Sequence, residues 1–336
     1  MNSKLSIWKI LFLIFLIVGT VYIIRNQKPY ITNTGKVFGT YYKITYKSDS
    51  DLHEAIKQRM SEVDCSLSPF NKRSIITAIN ENRDTLANTM FTDVFNLAQE
   101  ISEKTGGAFD ITVAPLVNAW GFGFKKGTLP DSTTVDSLRR HIGYSTISLE
   151  NGRITKMHPE TLLDCSAIAK GYGCDAVARL LDENGITDFM VEIGGEVVTK
   201  GKNDKGGNWA IGISKPNDNP TTTENELQDI IIISGKSMAT SGNYRNFRYE
   251  NGKKYSHTIS PATGYPVEHS LLSATVIADD CATADALATA FMVMGTEKAL
   301  EFCKQEEKIE GYFIYGGTDG RYRTAMSPGF GKYLGK

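Results

Sequence analysis

Apolar and polar positions change their spacing several times along this chain, and each spacing predicts a different element. From Ile10 to Ile24, fifteen residues run without a charge. The run reaches about eighteen if Ile7, Trp8 and a snorkelling Lys9 are included, between the core of an export signal and a membrane span. Lys4 and Lys9 precede it, and Arg25 and Lys28 follow it. No small-x-small cleavage pattern comes after the run, and the first cysteine, Cys65, is too distant to take a lipid. Residues 1–28 therefore read as an uncleaved membrane anchor, leaving residues 29–336 as the folded part.

Beyond it, residues 36–46 alternate aromatic or β-branched with small or polar residues, the pattern of a half-buried strand where the domain begins. Residues 52–65 have helical spacing, residues 66–71 read as a loop, and a second helix over residues 92–105 stops at Gly106-Gly107. Residues 167–181 predict a helix with Ala176, Val177, Leu180 and Leu181 along one stripe. Residues 189–198 predict a buried strand broken by Gly194-Gly195. Strands follow around 209–213 and 229–234, separated by a surface loop over 217–226 that is rich in Asn, Pro and Thr. No repeat, low-complexity tract or interdomain linker interrupts this order. The fold class expected is α+β, with mixed sheets and helices in one domain after the anchor.

Composition narrows the partners. The 336 residues carry 37 basic against 38 acidic side chains, a net charge of −1 that offers no basic face for nucleic acid. Any phosphate must be held locally. Five cysteines, Cys65, Cys165, Cys174, Cys281 and Cys303, lack C-x-x-C spacing and read mostly as buried small residues, with one disulfide conceivable outside the cytoplasm. The common nucleotide fingerprints are absent: there is no Walker A sequence, and Gly121-Phe122-Gly123 lacks the remaining glycines of a dinucleotide loop.

Chemistry concentrates in a few segments. Residues 256–266, Ser-His-Thr-Ile-Ser-Pro-Ala-Thr-Gly-Tyr-Pro, set His257 beside a Pro- and Gly-rich turn. His257 reads as a general base, a phosphate hydrogen-bond donor or a structural histidine. In Ala284-Asp285-Ala286-Leu287-Ala288-Thr289, Asp285 and Thr289 are i and i+4, so a carboxylate and a hydroxyl share a helix face. That suits Mg²⁺, or else Asp285 caps a helix N-terminus. Lys170 near a helix start is unfavourable unless an anion lies nearby, the alternative being a solvated lysine. Ala108-Phe109-Asp110 leads into an aromatic and glycine-rich stretch through Trp120 to Gly123 that could receive a flat ring or simply fill a core. Residues 234–244 are small and hydroxylated, fit for a ligand-facing backbone or a turn.

Taken in order, Gly39-Thr40, Phe109-Asp110 with Pro115-Leu116-Val117 and Trp120 to Gly123, Asp164 to Tyr172, Glu192 to Gly195, Ala239 to Gly242, His257 to Pro266 and Ala284 to Thr289 resemble the ApbE family. These are FAD:protein FMN transferases, and the resemblance spans about Gly35 to Gly331. It implies a two-lobed, T-fold-like domain. It also implies an FAD site lined by Phe38, Phe70, Ala108, Phe109, Asp110, Asp164, Lys170 and Ile259, and Mg²⁺ held by Asp285, Thr289 and the carbonyls of Ala167 and Ala288. By the same resemblance, FMN passes from FAD to a Ser or Thr hydroxyl of another protein and AMP is released, with His257 and Asp285 as catalytic residues. A pyrophosphatase giving FMN and AMP, or a flavin-binding protein without activity, would use the same site. The family's acceptor pattern, Asp-x-Ser/Thr-Gly-Ala-Ser/Thr, does not occur in this chain. The acceptor is therefore expected to be a separate polypeptide, by analogy a membrane electron-transport subunit, with the catalytic domain on the periplasmic side of a bacterial inner membrane. Two departures stand out: the lipoprotein cysteine of many members is missing, and Phe38 stands where Met is common.

Overall fold

Two tight hairpins set the frame of the molecule. Residues 7–26, 28–125, 129–216, 226–243, 247–250 and 253–335 are described in the computed structural model of the chain. Strands β1 (Tyr30–Val37) and β2 (Thr40–Lys47) turn at Phe38-Gly39, whose φ values of 50° and 73° are both left-handed. Paired positive φ is the backbone of the two-residue turn that matches strand twist. Residues 36–46 are thus a hairpin rather than the single strand expected, because Phe occupies a position that asparagine or glycine normally signals. The segment over 189–198 resolves the same way. It forms β5 (Phe189–Ile193) and β6 (Glu196–Lys200), joined by Gly194-Gly195 at φ 69° and 106°.

Between these hairpins lie helices α2 (His53–Leu67), α3 (Ile75–Asn80), α4 (Thr89–Lys104), α5 (Ala114–Ala119) and α6 (Ser132–Arg139). The small ribbon β3 (Ile147–Glu150) and β4 (Arg153–Lys156) and helix α7 (Ala169–Glu183) complete that half. Asn88 caps α4 by accepting from Phe91 N–H at 2.9 Å, which starts the helix three residues earlier than its apolar spacing suggested. Strands β7 (Trp209–Ser214) and β8 (Leu227–Ile233) form a ribbon. Next come β9 (Ser237–Gly242), the pair β10 (Phe247–Glu250) and β11 (Lys253–Ser256), β12 (Leu271–Ala278), α8 (Cys281–Met294), α9 (Thr296–Gln305), β13 (Glu310–Gly316) and β14 (Tyr322–Met326). The expected loop at 217–226 lies outside the described residues except Glu226. Within residues 234–243, the chain bends at Ser234-Gly235, where Gly235 has φ 67°, and then forms β9.

One antiparallel sheet runs β1-β2-β5-β6-β9-β12-β13-β14. Alternation of its side chains sorts the core into two faces. Ala239, Val276 and Phe313 join α4 and α8 on one face, while β2 and β5 bury α2 and α7 through Ile44, Val191, Val177 and Leu181. Met238, Ile277, Tyr312 and Ile314 face the other way, against the β7–β8 ribbon and Phe330. A satellite of Leu116, Trp120, Val135 and Ile259 packs apart from both. Helices segregated to one face of an antiparallel sheet make this an α+β fold, as expected.

Helix α1 (Ile7–Asn26) precedes the sheet, and its apolar side chains from Ile10 to Val18 are exposed. Among the described residues, no helix is long and apolar enough to cross a membrane. The described helices thus do not establish the anchoring expected of residues 1–28. All five cysteines are free thiols, four of them buried, so the conceivable disulfide is not formed.

A buried carboxylate ties α7 to α8. Asp175 accepts from the N–H groups of Cys281 at 2.9 Å and Ala282 at 2.8 Å, beside the N-cap Asp280. Burial pushes its carboxyl up to about 7, against the pull of those two donors. A carboxyl raised in the folded state holds its proton more tightly than the unfolded chain does. The stability it adds is complete below the unfolded value near 4 and is lost as pH rises through about 7. The stability of the wild type relative to Asp175→Asn should therefore fall between pH 4 and pH 7, by up to about 4 kcal/mol. Urea denaturation at several pH values checks this, and a pH-independent difference would refute it.

Candidate functional site

Where the two hairpin turns approach α7 and α8, a cleft of about 1360 Å³ opens. It exceeds the roughly 300–1,000 Å³ of an ordinary small-molecule pocket, which leaves room for a dinucleotide and part of a second molecule. Every predicted site residue except Ala288 lines it: Phe38, Phe70, Ala108, Phe109, Asp110, Asp164, Ala167, Lys170, His257, Ile259, Asp285 and Thr289. Ala288 is fully buried inside α8. At that interior position the helical pattern directs its carbonyl to the N–H four residues on.

The most constrained part is the crossing of α7 and α8. Gly171 has no room for a side chain: a Cβ there would sit 2.3 Å from the Cys281 carbonyl oxygen and 2.8 Å from Asp285 Cβ. The close approach lets Gly171 N–H donate to Asp285 Oδ2 at 3.0 Å. Gly171 is only the third residue of α7, where an N–H has no partner within the helix, and Asp285 supplies one; the Ala167 carbonyl lies in the turn before α7, outside the helix's own ladder. One turn along α8, Thr289 Oγ1 shares a hydrogen bond with Ser241 Oγ of β9 at 3.1 Å. Asp285 is not the helix cap of the alternative reading, because Asp280 fills that role.

Lys170 is half-buried and meets two acids. Its Nζ donates to Glu196 Oε1 at 2.8 Å and lies 3.5 Å from Asp285 Oδ1. Burial opposes its charge, but the Asp285 and Glu196 carboxylates outweigh that and hold the ammonium above the ordinary lysine range. Burial also drives Glu196 above the carboxylate range, with Lys170 pulling it back and Asp285 pushing it further up. Asp110 and Asp164 are raised by burial too. Against this, Asp110 accepts from Thr112 N–H and Oγ1 and from Tyr144 N–H, and Asp164 from Ser166 N–H.

His257 is carried on a braced loop. Its ring stands edge-on to Phe122 with centroids 6.4 Å apart. Next to it, Thr258 donates to Asn243 Oδ1 at 2.6 Å, and Ile259 bridges to Pro266. Trp120 Nε1–H donates to the Gly264 carbonyl at 2.8 Å, and its ring packs against Tyr255 and Tyr265. Trp120 is thus core that fixes the histidine loop, while Phe122 faces the cleft. The aromatic stretch serves both of its readings through different residues.

Sequence reasoning missed Glu196 and left Ser241 without a role. A signal for Glu196 was present: an acid placed directly after a Gly-Gly turn and before the apolar pair Val197-Val198.

The lining is rich in acid. Asp64, Asp110, Asp164, Glu192, Glu196 and Asp285 border the cleft against Lys43 and Lys170. A phosphate ligand would meet repulsion here unless a cation came with it. Among the described residues, no three His, Cys, Asp or Glu side chains form a metal cage. The available donors are a carboxylate (Asp285), a hydroxyl (Thr289) and a carbonyl from the turn before α7 (Ala167), all hard oxygens that fit Mg²⁺.

Comparison with known proteins identifies the relatives of this chain. The ApbE family model matches residues 38–313. An FAD:protein FMN transferase of Haemophilus influenzae is 37% identical over 327 residues, covering 92% of each chain. Its Escherichia coli counterpart is 35% identical over 332 residues, covering 92% of this chain and 93% of that one. Among solved structures, the flavin transferase ApbE of Vibrio cholerae superposes with a TM-score of 0.82 at 34% identity, covering 91% of this chain and all of that one. The apo flavinyl transferase ApbE of Pseudomonas stutzeri gives 0.81 at 29% identity, over 92% of this chain and 98% of that chain.

The Gly171 contact carries a prediction. Gly171→Ala should force α7 and α8 apart, costing about 1–3 kcal/mol, and should weaken FAD binding in Mg²⁺ at least tenfold. Thermal unfolding and flavin fluorescence titration measure both effects. Unchanged FAD affinity would show that the junction does not form the site.

Proposed function

The chain belongs to the ApbE family, and from that membership we propose that it transfers FMN from FAD to a Ser or Thr hydroxyl of an acceptor protein, in a Mg²⁺-dependent reaction that releases AMP. The observation that carries the Mg²⁺ requirement is the set of hard oxygens at the α7–α8 junction, Asp285 held in place by Gly171 N–H, Thr289 and the Ala167 carbonyl, in an acid-lined cleft. When bound, Mg²⁺ would neutralise charge on the pyrophosphate. Phe38, Phe70, Ala108, Phe109, Asp110, Asp164 and Ile259 enclose FAD, and the Lys170 ammonium offers a donor to its phosphate oxygens.

The acceptor hydroxyl oxygen attacks the FMN-side phosphorus, and the bond from that phosphorus to the oxygen of AMP breaks with its electron pair going to AMP. His257 is positioned at the cleft to take the hydroxyl proton, a task suited to imidazole near neutral pH. The acceptor carries the pattern Asp-x-Ser/Thr-Gly-Ala-Ser/Thr and, by analogy, belongs to a membrane electron-transport complex. The exposed apolar side chains of α1 and the charge-free run from Ile10 to Ile24 support attachment to the inner membrane, with the catalytic domain on its periplasmic side.

The test incubates the full chain in detergent with FAD, MgCl₂ and an acceptor protein bearing the motif, and weighs the acceptor by mass spectrometry. A gain equal to FMN is expected. It should be abolished by EDTA and reduced at least a hundredfold by Asp285→Ala. Free FMN and AMP with unmodified acceptor would make the protein a pyrophosphatase, and intact FAD would make it a flavin-binding protein without this activity.

A further inference from the structure

One buried charged oxygen in the cleft has no role so far. Glu196 follows the Gly194-Gly195 turn, and its side chain is 4% exposed. Oε1 accepts from Lys170, whereas Oε2 is buried and, among the described residues, has no hydrogen-bond partner. Helix α7 grips this residue twice: Lys170 holds its side chain, and four residues along, the Cys174 thiol donates to its main-chain carbonyl at 3.3 Å. The turn before it is equally tight, since a Cβ at Gly194 would come within 3.2 Å of Glu196 Oε2 and 2.9 Å of Thr40 Cγ2. Glu196 is thus fixed by its surroundings rather than free to follow its partner.

That rigidity matters because one ammonium is shared between two carboxylates. Lys170 Nζ is 2.8 Å from Glu196 and 3.5 Å from Asp285. A divalent cation on Asp285 and the Lys170 ammonium are like charges drawn to the same carboxylate, so each weakens the hold of the other. The nearer acid decides where the ammonium rests.

We propose that Glu196 is a positioning residue for cation loading, which holds the Lys170 ammonium to itself and so keeps the Asp285 carboxylate available to a divalent cation. The inference rests on the Mg²⁺ dependence proposed above. Taken as ionised, the three groups sum to one negative charge before loading and one positive charge after it, so the loaded cleft favours an anionic pyrophosphate. Without Glu196, Lys170 has Asp285 as its remaining acid in the cluster and competes with the metal there.

Calorimetric titration of MgCl₂ into the full chain without FAD tests this, using the wild type, Glu196→Gln, Glu196→Asp, Lys170→Met and the double variant E196Q/K170M. Thermal unfolding confirms that each variant is folded. Glu196→Gln should weaken Mg²⁺ binding about tenfold, and Glu196→Asp should restore part of it. The double variant should recover most of the affinity because the competing ammonium is gone, which a purely structural role for Glu196 would not produce. Wild-type affinity in Glu196→Gln, or a double variant as weak as Glu196→Gln, overturns the proposal while leaving Mg²⁺ dependence intact. A wild type that binds no Mg²⁺ without FAD overturns this inference, whereas the EDTA arm of the transfer assay decides the Mg²⁺ dependence it rests on.

Discussion

Everything in the cleft depends on how closely α7 and α8 approach each other at Gly171. Backbone meets backbone there, and a single hydrogen bond, Gly171 N–H to Asp285 Oδ2, does two things at once. It orients a buried carboxylate, and it gives the third N–H of α7 a partner that the helix itself does not supply. Asp175 holds the same helices together on the other side of the junction through the first N–H groups of α8. A carboxylate at a helix N-terminus is favoured by the exposed donors and by the helix dipole, which offsets part of the cost of burying it.

The sheet supplies the opposing wall through its turns. Phe38-Gly39 and Gly194-Gly195 lie at the same end of the neighbouring strands β2 and β5, and Gly194 N–H bonds the Tyr41 carbonyl at 2.9 Å. Phe38 holds a left-handed φ that costs a bulky residue energy, and it is retained where its ring fills the space beside Gly173, whose Cβ would come within 2.7 Å of it. Strain at a cleft wall fits a site whose walls must be fixed before a ligand arrives. Lys170, Glu196 and Asp285 fill the gap between wall and helices, each charge balanced by a neighbour because none could be buried alone.

The sequence carried much of this, but unevenly. Helices with clear apolar stripes, such as α2, α4 and α7, were legible to within a few residues, since their stripes face a single core. The first hairpin was harder: its strand reading ran straight through the turn, because Phe38 disguised it, whereas Gly194-Gly195 marked the break between β5 and β6. The site was legible mainly as ordered motifs. Asp285 and Thr289 declared themselves by spacing, and Lys170 by its awkward place at a helix start. Glu196 stayed hidden because its importance comes from a contact between residues 26 positions apart. The hydrogen bond from Gly171 N–H to Asp285 was out of reach of any pattern, as it depends on where a distant carboxylate sits.

The central claim is that the α7–α8 junction presents Asp285, Thr289 and the Ala167 carbonyl to one cation that accompanies FAD. A crystal structure of the chain with FAD and MnCl₂, read by anomalous scattering from manganese, tests it directly. The account predicts one strong peak within coordination distance of all three oxygens and of the FAD pyrophosphate, with Lys170 turned away from Asp285. A cation bound elsewhere in the cleft, or FAD seated with Lys170 still on Asp285 and no metal between them, would contradict it.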